Sequence, residues 1–244
     1  GVSFIMWWRT GEKKYLWLIG WFFISAVLQS VRTGLLAILM VITVASYIRY
    51  KKYSLPYIGA IMFIAMASVV FIPQVRDKMF NESAKVEQIS DLSSISTDNI
   101  DSNARFAMWE WALDKFYEGR EWTGAGLGST QQYMYDNYIF GGLHVLHNDY
   151  VQMLSDTGLT GLILYALFPI GIFITAWKPL HSRGLDTLKI TLSLAVLSYI
   201  AVLTTMMTDN VVNYSLAVHS YPFIFIGIAL AYKRLEKEKG SIGV

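Results

Sequence analysis

Six apolar runs decide most of what this chain can fold into: residues 15–28, 35–48, 56–72, 159–177, 190–207 and 216–232. A hydrocarbon core about 30 Å thick takes roughly 20 apolar residues to cross as a helix. The last four runs approach that length; the first two are shorter and are joined by "QSVRTG". In lipid an isolated segment must satisfy its own backbone hydrogen bonds, so each run is expected to be a helix. Composition agrees, since 54% of residues are hydrophobic and 16% charged, where soluble domains carry roughly 25% charged residues. The expected fold is an all-α integral membrane protein of about six transmembrane helices with one large extracytoplasmic loop.

Charge placement orients it. Most of the 20 Lys+Arg fall in four short segments, 9–14, 49–52, 178–189 and 233–239. These alternate along the chain with "QSVRTG", the long segment 74–156 and "TDNVVNYS". Basic loops stay in the cytoplasm, which puts the other three outside. The expected organisation is therefore three spans over 1–73, an extracytoplasmic loop over 74–156, and three spans with a cytoplasmic tail over 157–244. "GVSFIMWW" reads as the end of an earlier helix, and no signal peptide is visible, so a C-terminal portion of a larger protein is expected. With no cysteine, disulfide and thiolate chemistry are excluded. A net charge of +2 gives no reason to expect a nucleic-acid partner.

The outer loop holds the residues able to do chemistry, with 13 acidic and 6 basic side chains. Its first part, "NESAKVEQISDLSSISTDNIDSN", is polar and Ser-rich and reads as a flexible or lid-like segment. Composition changes at Ala104. "ARFAMWEWALDKFYEG" sets Phe106, Trp109, Leu113 and Phe116 at helical spacing, an amphipathic helix suited to the membrane surface. Arg105 opens that helix, where a cation opposes the dipole. It is either a solvated charge or the partner of an anion such as phosphate. "EWTGAGLGSTQQYMYDNY" carries Gly124, Gly126 and Gly128 without the Lys-Ser/Thr of a nucleotide loop. A tight turn that lets the chain approach a ligand fits better. Tyr133, Tyr135 and Tyr138, with Asp136 and Asn137, suit either a sugar site or an interfacial anchor.

"LHVLHNDYVQMLSDTGLTG" puts His144 and His147 three residues apart, with Asp149 close behind, just before a span. Two imidazoles make a poor metal site. The remaining roles for His147 are a structural cap of the following helix, or a group that takes or holds a proton at the bilayer surface. Arg32 lies between apolar runs, where a charge at bilayer depth costs up to ~2.5–3.5 kcal/mol. It either snorkels to the interface or faces an anion inside the bundle. Asp209 and Asn210, in the last outer loop, fit a turn or capping role or an addition to the site. The runs 56–72, 159–177 and 190–207 contain no charged residue, which favours interfacial chemistry over a transporter or exporter.

Taken together, these segments resemble a known family. His147-Asn148, nine residues and then Gly158-Leu159-Thr160-Gly161 resembles the His-Asn…Gly-x-x-Gly motif of bacterial O-antigen ligases and related polysaccharide polymerases. "QSVRTG" resembles the family's Ser-x-Arg segment, with Thr33 where a small residue is more usual, and "ARFAMWEWALDKF…GAGLGS" resembles its Arg…Trp…Gly-x-Gly segment. The likeness runs from about Gln29 to Leu162. It implies a glycosyltransferase that moves a glycan from undecaprenyl diphosphate to a sugar hydroxyl on a lipid-anchored or lipid-linked acceptor. The location implied is the outer face of the bacterial cytoplasmic membrane, with membrane lipids as surroundings and no metal or cofactor. The resemblance also implies roles: His147 as proton acceptor, Arg105 and Arg32 on the diphosphate, and inversion at the anomeric carbon. Asn148, Asp149, Gly124, Gly126, Tyr133, Tyr135 and Asp136 would line the substrate site. Asp149 or Asp136 as base, with His147 on phosphate, is the other arrangement.

Overall fold

The computed structural model describes residues 1–28, 32–54, 105–138, 144–181, 186–214 and 216–242, with Pro56, Gly59, Ala60 and Phe63 besides. Every regular element among them is helical. In chain order they are α1 (Val2–Thr10), α2 (Lys14–Leu28), α3 (Arg32–Tyr50) with a 3₁₀ turn at Lys51–Ser54, and α4 (Arg105–Ala112), which continues as a π-turn over Leu113–Tyr117. Then follow α5 (Ser129–Asp136), α6 (Asp149–His181), α7 (Thr187–Thr205), α8 (Val211–Tyr214) and α9 (Leu216–Ile242). The expected span 56–72 and the Ser-rich start of the outer loop lie outside the described residues.

Three of these helices are long and apolar enough to cross a membrane, at Thr33–Tyr50, Asp149–His181 and Thr187–Thr205, while the apolar part of α2 is shorter. The central one is α7. It buries Leu192, Ala195, Val196, Leu197, Tyr199 and Val202 and packs against α3, α6, α9 and α1. A helix apolar on all sides is stable only when surrounded, and α1 helps surround it by burying Phe4 and Ile5 in the same core. The Asp186 side chain caps its start by accepting from the Lys189 N–H at 2.7 Å.

The ends of the bundle sort as the charges require. At one end Arg49 stacks on Trp7, 3.8 Å from the ring centroid, Lys51 donates to the His181 carbonyl at 3.0 Å, and Lys189 lies over Trp8. At the other end Thr33, Asp149 and the 206–210 turn after α7 meet. Two of the segments expected in the cytoplasm, with the residues just before a third, thus share one end, and parts of all three segments expected outside share the opposite one.

The apolar stripe expected along α4 is only partly packed. The buried residues are Met108, Ala112 and Phe116, whereas Phe106 is 41% exposed. The spacing of Phe106, Trp109, Leu113 and Phe116 matches a helix, but the stripe that packs is offset from it. Met108 and Ala112 meet Met134 and Leu146 in a small satellite core. Trp109 sits at its edge and donates from Nε1 to the Leu146 carbonyl at 2.7 Å, which holds α4 against the chain leading to α6.

Candidate active site

The 33 residues of α6 are too many for one span, since roughly 20 suffice for the hydrocarbon core. The helix accordingly breaks at Gly158, whose backbone lies at φ 64 and ψ −164, a region open essentially to glycine. Residues 159–181 are enough for a crossing, leaving 149–157 as an arm beyond it.

The break is filled by the glycine-rich loop. Leu159 donates to the Glu121 carbonyl at 2.7 Å and Thr160 to that of Trp122 at 3.3 Å; Ala125 donates to Ser155 at 2.9 Å and Gly126 to Asp156 at 2.8 Å. Backbone groups that a broken helix would orphan therefore find partners. Both contact points need glycine. A Cβ at Gly158 would sit 2.5 Å from the Trp122 carbonyl carbon, and one at Gly124 would sit 2.5 Å from the Thr157 nitrogen. The close approach at Gly124 is to the α6 backbone at Asp156 and Thr157, where the sequence pattern leads one to expect a ligand. Gly158→Ala is expected to destabilise the protein by about 3 kcal/mol or more, through strain plus collision with unyielding backbone. A Cβ at Gly161 would collide with the Thr157 hydroxyl and with the Thr157 Cβ, which no rotamer change moves. The thermal midpoint of Gly158→Ala in detergent would check the expected loss.

Asp156 completes this seam. Its carboxylate accepts from the Gly128 N–H at 3.0 Å, the Thr130 N–H at 2.9 Å and the Thr130 hydroxyl at 2.6 Å. It thereby caps α5 from a distance and places a negative charge at that helix's N-terminus.

At the head of the arm the cap is Asn148, whose Oδ1 accepts from the N–H groups of Tyr150 at 3.0 Å and Val151 at 3.1 Å. The capping role is therefore not that of His147. His147 sits one residue earlier with φ 53, a left-handed conformation uncommon for a residue with a Cβ. Its N–H donates to Asn210 Oδ1 at 2.6 Å, and its Nδ1 faces Asp209 Oδ1 at 3.4 Å, the long limit of a hydrogen bond. Asp209 Oδ1 is itself steadied by the Asn210 N–H at 2.9 Å. Nδ1 is thus the ring nitrogen that faces a carboxylate.

Asn210 is fully buried and ties the site together. Its Nδ2 donates to Asp149 Oδ1 at 3.2 Å and to Gln152 Oε1 at 2.6 Å. Asp149 is 3% exposed, and its other oxygen accepts from the Val212 N–H at 3.1 Å. Burial pushes its carboxyl up, to about 6, against the opposing pull of those hydrogen bonds. Asp149 thus fastens α6 to the segment that follows α7. Asn210→Ala would leave several buried groups short of a partner and is expected to cost roughly 2–4 kcal/mol, read as a lowered thermal midpoint.

The 206–210 turn also meets the arginine segments. Arg105 Nη1 donates to the Thr208 carbonyl at 2.8 Å. The Thr208 and Thr33 hydroxyls lie 2.6 Å apart, so the N-terminus of α3, where Arg32 is the first helical residue, abuts the same turn. His147, Arg105 and the start of α3 are brought together by residues 208–210. Sequence reasoning raised Asp209 and Asn210 and preferred turn or capping roles for them; an Asp-Asn pair closing an uncharged span was the available signal.

Three other candidates sit differently. Tyr133 is built into the aromatic seam between α4 and α5, 5.6 Å from Phe116 between ring centroids and with Lys115 Nζ 4.2 Å from its own. Asp136 accepts from Gln132 of its own helix at 2.9 Å. Tyr135 is 64% exposed, with its ring 5.0 Å from that of His144.

Neither the curated proteins nor the solved structures include a match to this chain. The family model described as O-antigen ligase matches residues 15–166, more than half of the 244. That stretch carries Arg32, Arg105, the glycine loop, His147 and the Gly158 break, and it ends before α7 and its turn. By this match the chain belongs to the O-antigen ligase family.

Proposed function

We propose that the chain transfers a glycan from a polyprenyl diphosphate carrier, undecaprenyl diphosphate by the family resemblance, to a sugar hydroxyl on the outer face of the cytoplasmic membrane. The observation that carries this reading is the convergence of His147, Asp209, Arg105 and the N-terminus of α3 on one turn at one end of the bundle. Cleaving a glycosyl–phosphate bond builds negative charge on the departing diphosphate. Arg105 and Arg32 would meet that charge as fixed cations at the interface. The attacking hydroxyl must lose a proton, and Nε2 of His147 is suited to take it, with Asp209 steadying the imidazolium that forms. Attack opposite the leaving group inverts the anomeric carbon. Asp149 is the weaker candidate base, because it is buried and both of its oxygens hold structural partners.

A repeat-unit polymerase would use the same donor and the same proton acceptor, with a second lipid-linked glycan as acceptor. The test is a gel-shift assay on the full-length protein in detergent with undecaprenyl-diphosphate glycan, EDTA and separate candidate acceptors. Transfer without metal to a lipid-anchored core supports the ligase; transfer only to another lipid-linked glycan makes it a polymerase. Failure with every acceptor would overturn the reading.

A further inference from the structure

We infer that the turn of residues 121–128 is a membrane anchor, inserting Trp122 and Leu127 into the outer boundary of the lipid bilayer. Leu127 is 89% exposed and Trp122 64% exposed, on a segment whose backbone is otherwise pinned. Gly126 and Gly128, the neighbours of Leu127, are bonded to the Asp156 carbonyl and carboxylate, and the Trp122 carbonyl is bonded to the Thr160 N–H. A leucine this exposed on a turn this constrained cannot fold itself away by local rearrangement.

What covers it follows from where the turn is attached. Thr160 lies at the head of the segment taken as the span, and the exposed apolar side chains of α6 begin directly below it with Ile163, Leu164, Leu167 and Phe168. If the helix crosses the membrane, side chains exposed there meet lipid or a neighbouring helix. The turn is bonded to the head of that segment, which sets it near the level of the interface. Tryptophan is the residue enriched at that level, where its ring is apolar and its N–H meets water and headgroups. Leucine adds the apolar surface that reaches further in. The same seam that fills the α6 break therefore fixes the outer segment's height above the bilayer. This inference does not depend on the reaction catalysed.

This chain holds no cysteine, so labels within it are confined to the introduced positions, and any cysteine elsewhere in the full-length protein is first replaced by serine. Single cysteines replace Leu127, Trp122, Asp114 or Leu167 in the full-length protein, are labelled with an environment-sensitive nitrobenzoxadiazole dye, and are reconstituted into phosphatidylethanolamine–phosphatidylglycerol vesicles. Asp114, exposed and charged, is the water reference, and Leu167, 56% exposed on α6, is the lipid reference. Quenching is compared between aqueous iodide and lipids carrying a nitroxide high on the acyl chain. The expected result is that L127C and W122C are quenched by the nitroxide lipid and protected from iodide, with blue-shifted emission relative to D114C. Iodide quenching of L127C equal to that of D114C would overturn the inference. So would protection from both quenchers, which would place the turn against protein instead of lipid.

Discussion

Replacing His147 with alanine is expected to slow glycan transfer roughly 10²–10⁴-fold, the usual contribution of a positioned proton acceptor. The backbone donor to Asn210 Oδ1 remains in the variant, so the hub that holds the loop should survive. What alanine loses besides the ring is tolerance of φ 53, a strain of about 1–3 kcal/mol. His147→Asn separates the two effects, because asparagine accepts left-handed backbone more readily. It should restore the thermal midpoint and leave transfer as slow as in the alanine variant. Recovery of the rate by His147→Asn would show that only the turn matters there. Asp209→Asn should slow transfer by a smaller factor and shift the pH–rate profile, since it acts through the ring it faces. Its effect should also largely vanish once His147 is gone, as expected for residues that work as a unit.

The parts of this protein legible in its sequence are those set by local hydropathy and by glycine. Residues 35–48 and 190–207 gave away α3 and α7 because a span must be apolar along its whole length. Basic residues marked one end of the bundle for a comparable reason: their cost in lipid confines them to loops. The phase of α4 was harder to read. Trp109 is large and aromatic, yet its Nε1 has to reach the Leu146 carbonyl, so it lies at the edge of the satellite core while Met108 and Ala112 fill the centre. Hydrophobicity alone ranks these residues in the wrong order. Gly124 is expected from its pattern to let the chain approach a ligand, whereas the approach seen is to the backbone of Asp156 and Thr157; a glycine pattern does not say what approaches. The site's organising turn was the least visible part. Thr33 and Thr208 are 175 positions apart, and His147 and Asp209 are 62 apart. Contacts that distant depend on how α3, α6 and α7 are arranged around one another, which no local pattern encodes.

Arg105→Ala is the second large effect expected, about 10²–10³-fold in the rate of transfer, the scale for losing one preorganised group that stabilises developing charge. Two roles compete for this residue. Its Nη1 bond to the Thr208 carbonyl positions the turn that carries Asp209, and its remaining N–H donors are suited to diphosphate oxygens. Lysine separates the roles. A single ammonium can replace one donor to a carbonyl, but it cannot reproduce a guanidinium that grips a carbonyl and an anion at once. If positioning were the whole role, Arg105→Lys should restore both the thermal midpoint and the rate. If charge stabilisation dominates, the midpoint should recover while transfer stays at least about tenfold below wild type. The deficit should then lie in the transfer step measured at saturating donor, because the diphosphate gains charge only as the glycosyl bond breaks. A defect confined to donor affinity, with the saturated rate intact, would reduce Arg105 to a docking contact and leave the developing charge to Arg32.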